Sequence, residues 1–143
     1  MVQEFTTSSA DETVALGREL APKLRDLRVV LLCGDLGAGK TTLTKGIAEG
    51  FSAAERDEVT SPTFTLVHEY RGPDRTIFHV DLYRVDTDRE LATLGLDDTM
   101  LEQGNILLIE WGEKFPRFAR ERDAEIAITR VGDTQRRIQF TTK

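Results

Sequence analysis

The stretch Gly34-Asp-Leu-Gly37-Ala38-Gly39-Lys40-Thr41-Thr42 has the residue types and spacing of a phosphate-binding loop, with G-x-x-x-x-G-K-[ST] running from Gly34 to Thr41. Glycines let the backbone adopt positive φ and turn its N–H groups inward as a cradle for an anion. Lys40 is spaced to reach the β- and γ-phosphates of a nucleotide, and the Thr41 hydroxyl to ligate Mg²⁺. A helix starting at the loop aims the positive end of its dipole at the same phosphates. The pattern predicts a site for a nucleoside phosphate.

Reaction at a bound nucleotide needs a further carboxylate near the metal, at the end of a neighbouring strand. Asp81 closes the run Ile77-Phe78-His79-Val80, and Glu110 closes Ile106-Leu107-Leu108-Ile109. Open α/β sheets hold ligands at the carboxyl ends of their parallel strands, so both acids are candidates for a catalytic or metal-binding role. The plainer reading of each is a strand-end acid in solvent. Thr60-Ser61-Pro62-Thr63 follows the expected helix, where nucleotide switches carry a hydroxyl that senses the γ-phosphate; a strand lead-in is the alternative. His68 and His79 lack metal-ligand spacing and read as core or surface histidines. Trp111, directly after Glu110, reads as a packing anchor, with a stacking platform as the alternative. Cys33, the one cysteine, reads as a small buried hydrophobe with no disulfide or metal-thiolate partner.

The elements that position these residues are legible in outline. Val29–Cys33 is a short apolar, β-branched run, expected as a buried strand. Thr41–Phe51 reads as a helix, with Leu43, Ile47 and Phe51 on one face. Strand, loop, helix is the order the motif requires. Upstream, Ser9-Ala-Asp-Glu12 is a capping box opening a helix with Leu16, Leu20, Leu24 and Leu27 on one stripe. Pro22 is expected to bend or end that helix. Phe64–Tyr70 and Thr76–Asp81 read as strands joined by the short turn Arg71-Gly72-Pro73-Asp74, which forces an antiparallel pair and hence a mixed sheet. Thr87 to Glu90 is a second capping box; the helix it opens ends near Gly95, and Leu96–Glu102 forms another, stopped by Gly104. Asn105–Trp111 is a buried strand, and Gly112–Asp123 a charged loop with room for a turn of helix. Glu125–Val131 and Arg136–Thr141 alternate around Gly132-Asp133 as a terminal hairpin.

Length and composition narrow the class further. The 143 residues predict a single α/β domain spanning 1–143, with a mixed central sheet flanked by helices. Charged residues make up 31% and hydrophobic ones 39%, and the net charge is −6, which argues against a broad binding face for DNA or an anionic membrane. No basic, apolar leader and no membrane-length stretch is visible, so a cytoplasmic protein is expected. The chain carries no Asn-Lys-x-Asp for guanine, no Asp-x-x-Gly after the loop, no Leu-Ser-Gly-Gly-Gln and no arginine-rich lid. These gaps weaken the small-GTPase, transporter-ATPase and small-molecule-kinase readings. A kinase and a nucleotide-sensing adaptor that hydrolyses nothing stay open as alternatives.

Five blocks together resemble the TsaE family: Gly34–Thr42, Ser61-Pro-Thr-Phe64, His79-Val-Asp-Leu-Tyr-Arg84, Leu94-Gly-Leu-Asp-Asp98 and Leu108-Ile-Glu-Trp111. These are bacterial ATPases required for threonylcarbamoyladenosine modification of tRNA beside the anticodon. The resemblance implies a P-loop NTPase-like fold with ATP on Gly37, Ala38, Gly39, Lys40, Thr41 and Thr42, and Mg²⁺ held by Thr41 and Glu110. It implies that Asp81 contacts the nucleotide–metal site and that Ser61–Phe64 acts as a switch-like segment. Family members hydrolyse ATP weakly alone and work with the TsaB–TsaD pair, in which TsaD transfers the threonylcarbamoyl group. The ATP cycle would reset that machine, and tRNA would be reached through the complex. Lys40, Asp81 and Glu110 are therefore the expected catalytic residues. No arginine finger or water-positioning glutamine stands out; Arg84 is the nearest internal candidate.

Overall fold

The computed structural model describes residues 1–35 and 37–143; Leu36, an unspecified position of the loop pattern, lies outside them. The strands are β1 (Val2–Thr7), β2 (Val29–Cys33), β3 (Val67–Arg71), β4 (Thr76–Asp81), β5 (Asn105–Glu110), β6 (Ala124–Val131) and β7 (Gln135–Thr142). The helices are α1 (Ala10–Leu24), α2 (Lys40–Gly50), α3 (Asp88–Ala92), α4 (Leu96–Leu101) and α5 (Pro116–Glu121). All seven strands join one sheet in the order β1-β7-β6-β2-β5-β4-β3. β2 runs parallel to both β5 and β6, and β4 parallel to β5. Antiparallel strands complete the edges: β3 on β4, β7 on β6 and β1 on β7. The sheet is mixed, as the short β3–β4 turn demands.

Strand alternation sorts the core into two layers. Val30 and Leu32 of β2 pack with Leu20 and Leu24 of α1 and with Leu43 and Ile47 of α2. Val29 and Leu31, one residue out of phase, pack on the other face with Leu91, Leu96, Phe115 and Phe118. A central strand covered on both faces must be apolar throughout, which is why β2 and β5 read as unbroken hydrophobic runs.

α1 and α2 meet backbone to backbone. A Cβ built on Gly46 would stand 2.0 Å from the Val14 carbonyl oxygen, and one on Gly17 would stand 2.5 Å from the Leu43 carbonyl oxygen. Glycine is needed at both positions because no side chain fits between the helices. This contact fixes the depth of α2, and so the height of the phosphate loop at its start.

Four details differ from the sequence-based expectations or sharpen them. β1 is a strand that the weakly alternating Val2-Gln-Glu-Phe-Thr-Thr does not announce; it is held by pairing with β7, from Val2 opposite Thr141 to Thr7 opposite Arg136. α1 continues through Pro22 to Leu24. The proline lies exposed in the last turn, where it removes one hydrogen bond, while buried Leu20, Ala21 and Leu24 hold the helix down. The segment after Trp111 holds α5, in which Pro116 occupies the first turn and buried Phe118 anchors the helix. β3 begins at Val67, so Phe64 lies in the preceding turn.

Candidate functional site

The phosphate loop emerges from the carboxyl end of β2, between its parallel neighbours β5 and β6. Gly37 and Gly39 take φ of 79° and 112°, values that L side chains rarely adopt. Gly39 is also the N-cap of α2 and no side chain caps that helix, in contrast to α1 and α3, which are capped by Ser9 and Thr87. The first amides of α2 are thereby left for an anion, at the positive end of the helix dipole.

The strand-end acids converge on the same place. The parallel register of β4 and β5 sets Asp81 opposite Glu110, and that of β2 and β5 sets Leu32 opposite Glu110. Lys40, Asp81 and Glu110 are all buried. Lys40 Nζ donates to the Gly34 carbonyl oxygen at 2.6 Å and lies 3.3 Å from Glu110 Oε1. Asp81 Oδ1 accepts from the Tyr83 amide at 2.9 Å. These residues, with Gly37, Gly39, Thr41, Thr42, Ser61, Thr63, Tyr83 and Trp111, line a cleft of about 710 Å³. The loop and acids singled out in the sequence are brought together here, except that Ala38 is buried and does not line the cleft. Among the switch-like residues, Ser61 and Thr63 face the cleft with their hydroxyls 2.8 Å apart, whereas Phe64 is 80% exposed. Arg84 does not line the cleft; its guanidinium stacks 4.7 Å from the Phe64 ring centroid.

Electrostatics keep Glu110 ionised. Burial alone would push its carboxyl up, but the hydrogen bond and charge of His79 and the nearby Lys40 ammonium outweigh burial and hold it below the ordinary value of 4.5. Trp111 takes φ of 63°, a strained conformation for a bulky residue, directly after Glu110. That bend places the indole 5.4 Å from Lys40 Nζ and 5.2 Å from the Tyr83 ring. Trp111 therefore walls the cleft as well as packing. Cys33 is only half-buried and donates its S–H to Glu125 Oε1 at 3.4 Å. Burial and the carboxylates of Glu113 and Glu125 push its thiol well above the ordinary range, which leaves it no nucleophile.

A larger concavity of about 1040 Å³ opens at the other end of the sheet, against Val29 and Asn105, where β2 and β5 start. Three of the four arginines that line it are paired: Arg25 with Asp74 at 2.8 Å, Arg75 with Asp74 at 3.1 Å, and Arg117 with Asp97; Arg28 makes no salt bridge among the described residues. Size alone does not make it the site, because it lies away from the carboxyl ends where loops and helix dipoles converge.

The family model for the threonylcarbamoyl adenosine biosynthesis protein TsaE matches residues 7–138. The chain belongs to the TsaE family. A TsaE from Bacillus subtilis, a tRNA threonylcarbamoyladenosine biosynthesis protein, is 38% identical over 138 residues, covering 96% of this chain and 84% of the relative. The Streptomyces coelicolor TsaE is 40% identical over 131 residues, covering 89% and 86%. Among solved structures, the crystal structure of Bacillus subtilis YdiB superposes with a TM-score of 0.74 at 34% identity, covering 99% of this chain and 86% of that one. The family assignment ties the chain to threonylcarbamoyladenosine biosynthesis on tRNA.

Two residues near the TsaE-family loop were not foreseen in their present contacts. His79, expected as an ordinary core or surface histidine, is fully buried, and its Nε2 lies 2.5 Å from Glu110 Oε2. Strand alternation held the signal, since His79 and Asp81 are two apart in one strand and share a face. Arg136 of β7 donates from Nε to the Ala38 carbonyl oxygen at 2.8 Å, fastening the loop from behind. No local pattern points to Arg136; only the register of the β6–β7 hairpin carries it there.

Proposed function

We propose that this chain binds ATP with Mg²⁺ on Gly37–Thr42 and hydrolyses it in the service of threonylcarbamoyladenosine formation on tRNA, acting in the cytoplasm with the TsaB–TsaD pair. The observation that carries the reading is convergence: an uncapped helix start, a buried lysine and two buried strand-end carboxylates share one cleft. The α2 amides would bind phosphate oxygens, and Lys40 would exchange Glu110 for them. The Thr41 hydroxyl and the Glu110 carboxylate are hard oxygen donors of the kind Mg²⁺ takes, and Asp81 stands beside them. Bound Mg²⁺ supplies positive charge against the phosphate oxygens. Asp81 and Glu110 would orient the attacking water for in-line displacement, while Lys40 offsets the charge that develops on the γ-phosphate.

No arginine and no glutamine lines the cleft among the described residues. That supports slow turnover by the isolated chain and faster turnover once a partner completes the site. The tRNA would be reached through the TsaB–TsaD complex. Trp111, the one tryptophan, provides a built-in probe beside Lys40. Titration with MgATP is expected to change its fluorescence saturably in the wild type and to give no such response in Lys40→Ala. Absence of MgATP binding by the wild type would overturn the reading, and a phosphorylated acceptor in place of free phosphate would convert it to a kinase.

A further inference from the structure

Behind Glu110 stands a polar group that the nucleotide chemistry leaves unused. His79 is fully buried in β4, with Nε2 2.5 Å from Glu110 Oε2 and Nδ1 without a hydrogen-bond partner among the described residues. A carboxylate only accepts, so Nε2 carries the hydrogen and donates it. With or without a hydrogen, Nδ1 is a buried polar atom with no partner among the described residues. Core positions normally avoid an orphaned polar atom, and a leucine would fill this space without one. What the imidazole gives in return is visible at Glu110: Oε2 is held by His79, which turns Oε1 toward Lys40 at 3.3 Å and the cleft.

We propose that His79 is a positioning residue, whose Nε2–H fixes the Glu110 carboxylate in the orientation that presents Oε1 to a divalent cation. The inference rests on the nucleotide reading above. Of the two basic partners of Glu110, Lys40 is the one a phosphate would draw away. His79 is then the fixed one, and without it the carboxylate is buried, unpartnered and free to turn. Hydrogen bonds of this kind behind a metal-binding carboxylate are worth about 10- to 100-fold in metal affinity or activity.

The test uses the whole chain and three variants: His79→Leu, which keeps the bulk and removes the donor; His79→Gln, whose amide reaches as far as Nε2; and His79→Asn, whose amide stops near the Nδ1 position. Three quantities are read: thermal stability without ligand, ATP affinity without Mg²⁺ from Trp111 fluorescence, and the Mg²⁺ concentration needed for tight binding and turnover. His79→Leu is expected to melt below the wild type, because buried Glu110 is left with Lys40 alone, and to keep its metal-free ATP affinity. Its Mg²⁺ requirement should rise about tenfold or more and kcat should fall, while KM for ATP at saturating Mg²⁺ holds. His79→Gln should recover most of the loss and His79→Asn little of it, a contrast that stands even if the leucine variant fails to fold. Lower stability with an unchanged Mg²⁺ requirement would make His79 a packing residue and overturn the proposal. A wild type that binds no MgATP would instead remove the nucleotide reading, and this inference with it.

Discussion

Replacing Gly46 with alanine drives a methyl group into the backbone of the neighbouring helix. The new carbon would stand 2.0 Å from the Val14 carbonyl oxygen, 2.8 Å from its carbon and 2.9 Å from Gly17 Cα. None of these atoms is the end of a flexible side chain, so the helices must part, by roughly 1 Å to relieve the closest contact. Overpacking of this kind costs about 1–3 kcal/mol, and a backbone obstacle places it at the upper end, near 3 kcal/mol. Alanine returns about 1 kcal/mol through helix propensity, leaving a net loss of about 2 kcal/mol. For a chain of this length that lowers Tm by about 6–8 °C. The displacement also carries Lys40, Thr41 and Thr42, because they begin the same helix. A shift near 1 Å at reacting groups costs up to about 100-fold, so turnover should fall more steeply than stability.

The assay is thermal unfolding followed by circular dichroism, alongside ATP titration below the melting range. Gly17→Ala strikes the same interface from the other side, with its Cβ 2.5 Å from the Leu43 carbonyl oxygen. Once one methyl has parted the helices the second costs less, so the double variant should lose less than the sum of the two. An unchanged Tm in Gly46→Ala, or additive losses in the double variant, would refute the picture of a backbone contact that sets the depth of α2.

Other outcomes follow from single contacts. Arg136→Met removes the guanidinium from the Ala38 carbonyl oxygen; at a partly exposed site this is worth about 1 kcal/mol, so calorimetry should show ATP binding weakened about fivefold with the fold intact. Glu110→Gln should flatten the acid limb of stability. The folded pKa of Glu110 lies below its ordinary 4.5, so its contribution is full above that value and is lost as pH falls through the folded one. Urea unfolding as a function of pH would show the wild type losing more stability than the variant below about pH 4.5, and equal losses would remove Glu110 from the buried His79–Lys40 network.

The loop was legible because its chemistry is local: glycines, a lysine and a hydroxyl at fixed offsets, between an apolar strand and an amphipathic helix. Glu110 was legible because β5 reads as an unbroken hydrophobic run, and Asp81 because it follows a largely apolar run interrupted only by His79; the first acid after each marks a carboxyl end. Of the two expected capping boxes the N-cap half formed, with Ser9 Oγ accepting from Glu12 N and Thr87 Oγ1 from Glu90 N, each at 3.1 Å, while the glutamates turn to Ser8 N and to the Thr87 hydroxyl instead of the N-cap amides. What stayed hidden depends on distant partners. β1 is an edge strand whose only ladder among the described residues is with β7. Arg136 reaches the loop across 98 residues of sequence. Pro22 misled because the cost of a proline depends on which turn of a helix it occupies, and α1 runs on to Leu24. His79 shows the limit of reading residue types singly: its role lies in its pairing with a glutamate on the next strand.

The measurement that bears most directly on the central claim is phosphate release from ATP by the purified chain, alone and with the TsaB–TsaD pair, beside Lys40→Ala. A slow basal rate that rises when the pair is added, and is absent from Lys40→Ala in both conditions, is the predicted result. Release that the pair leaves unchanged, or that survives in Lys40→Ala, would contradict a loop-bound ATP hydrolysed at a partner-completed site.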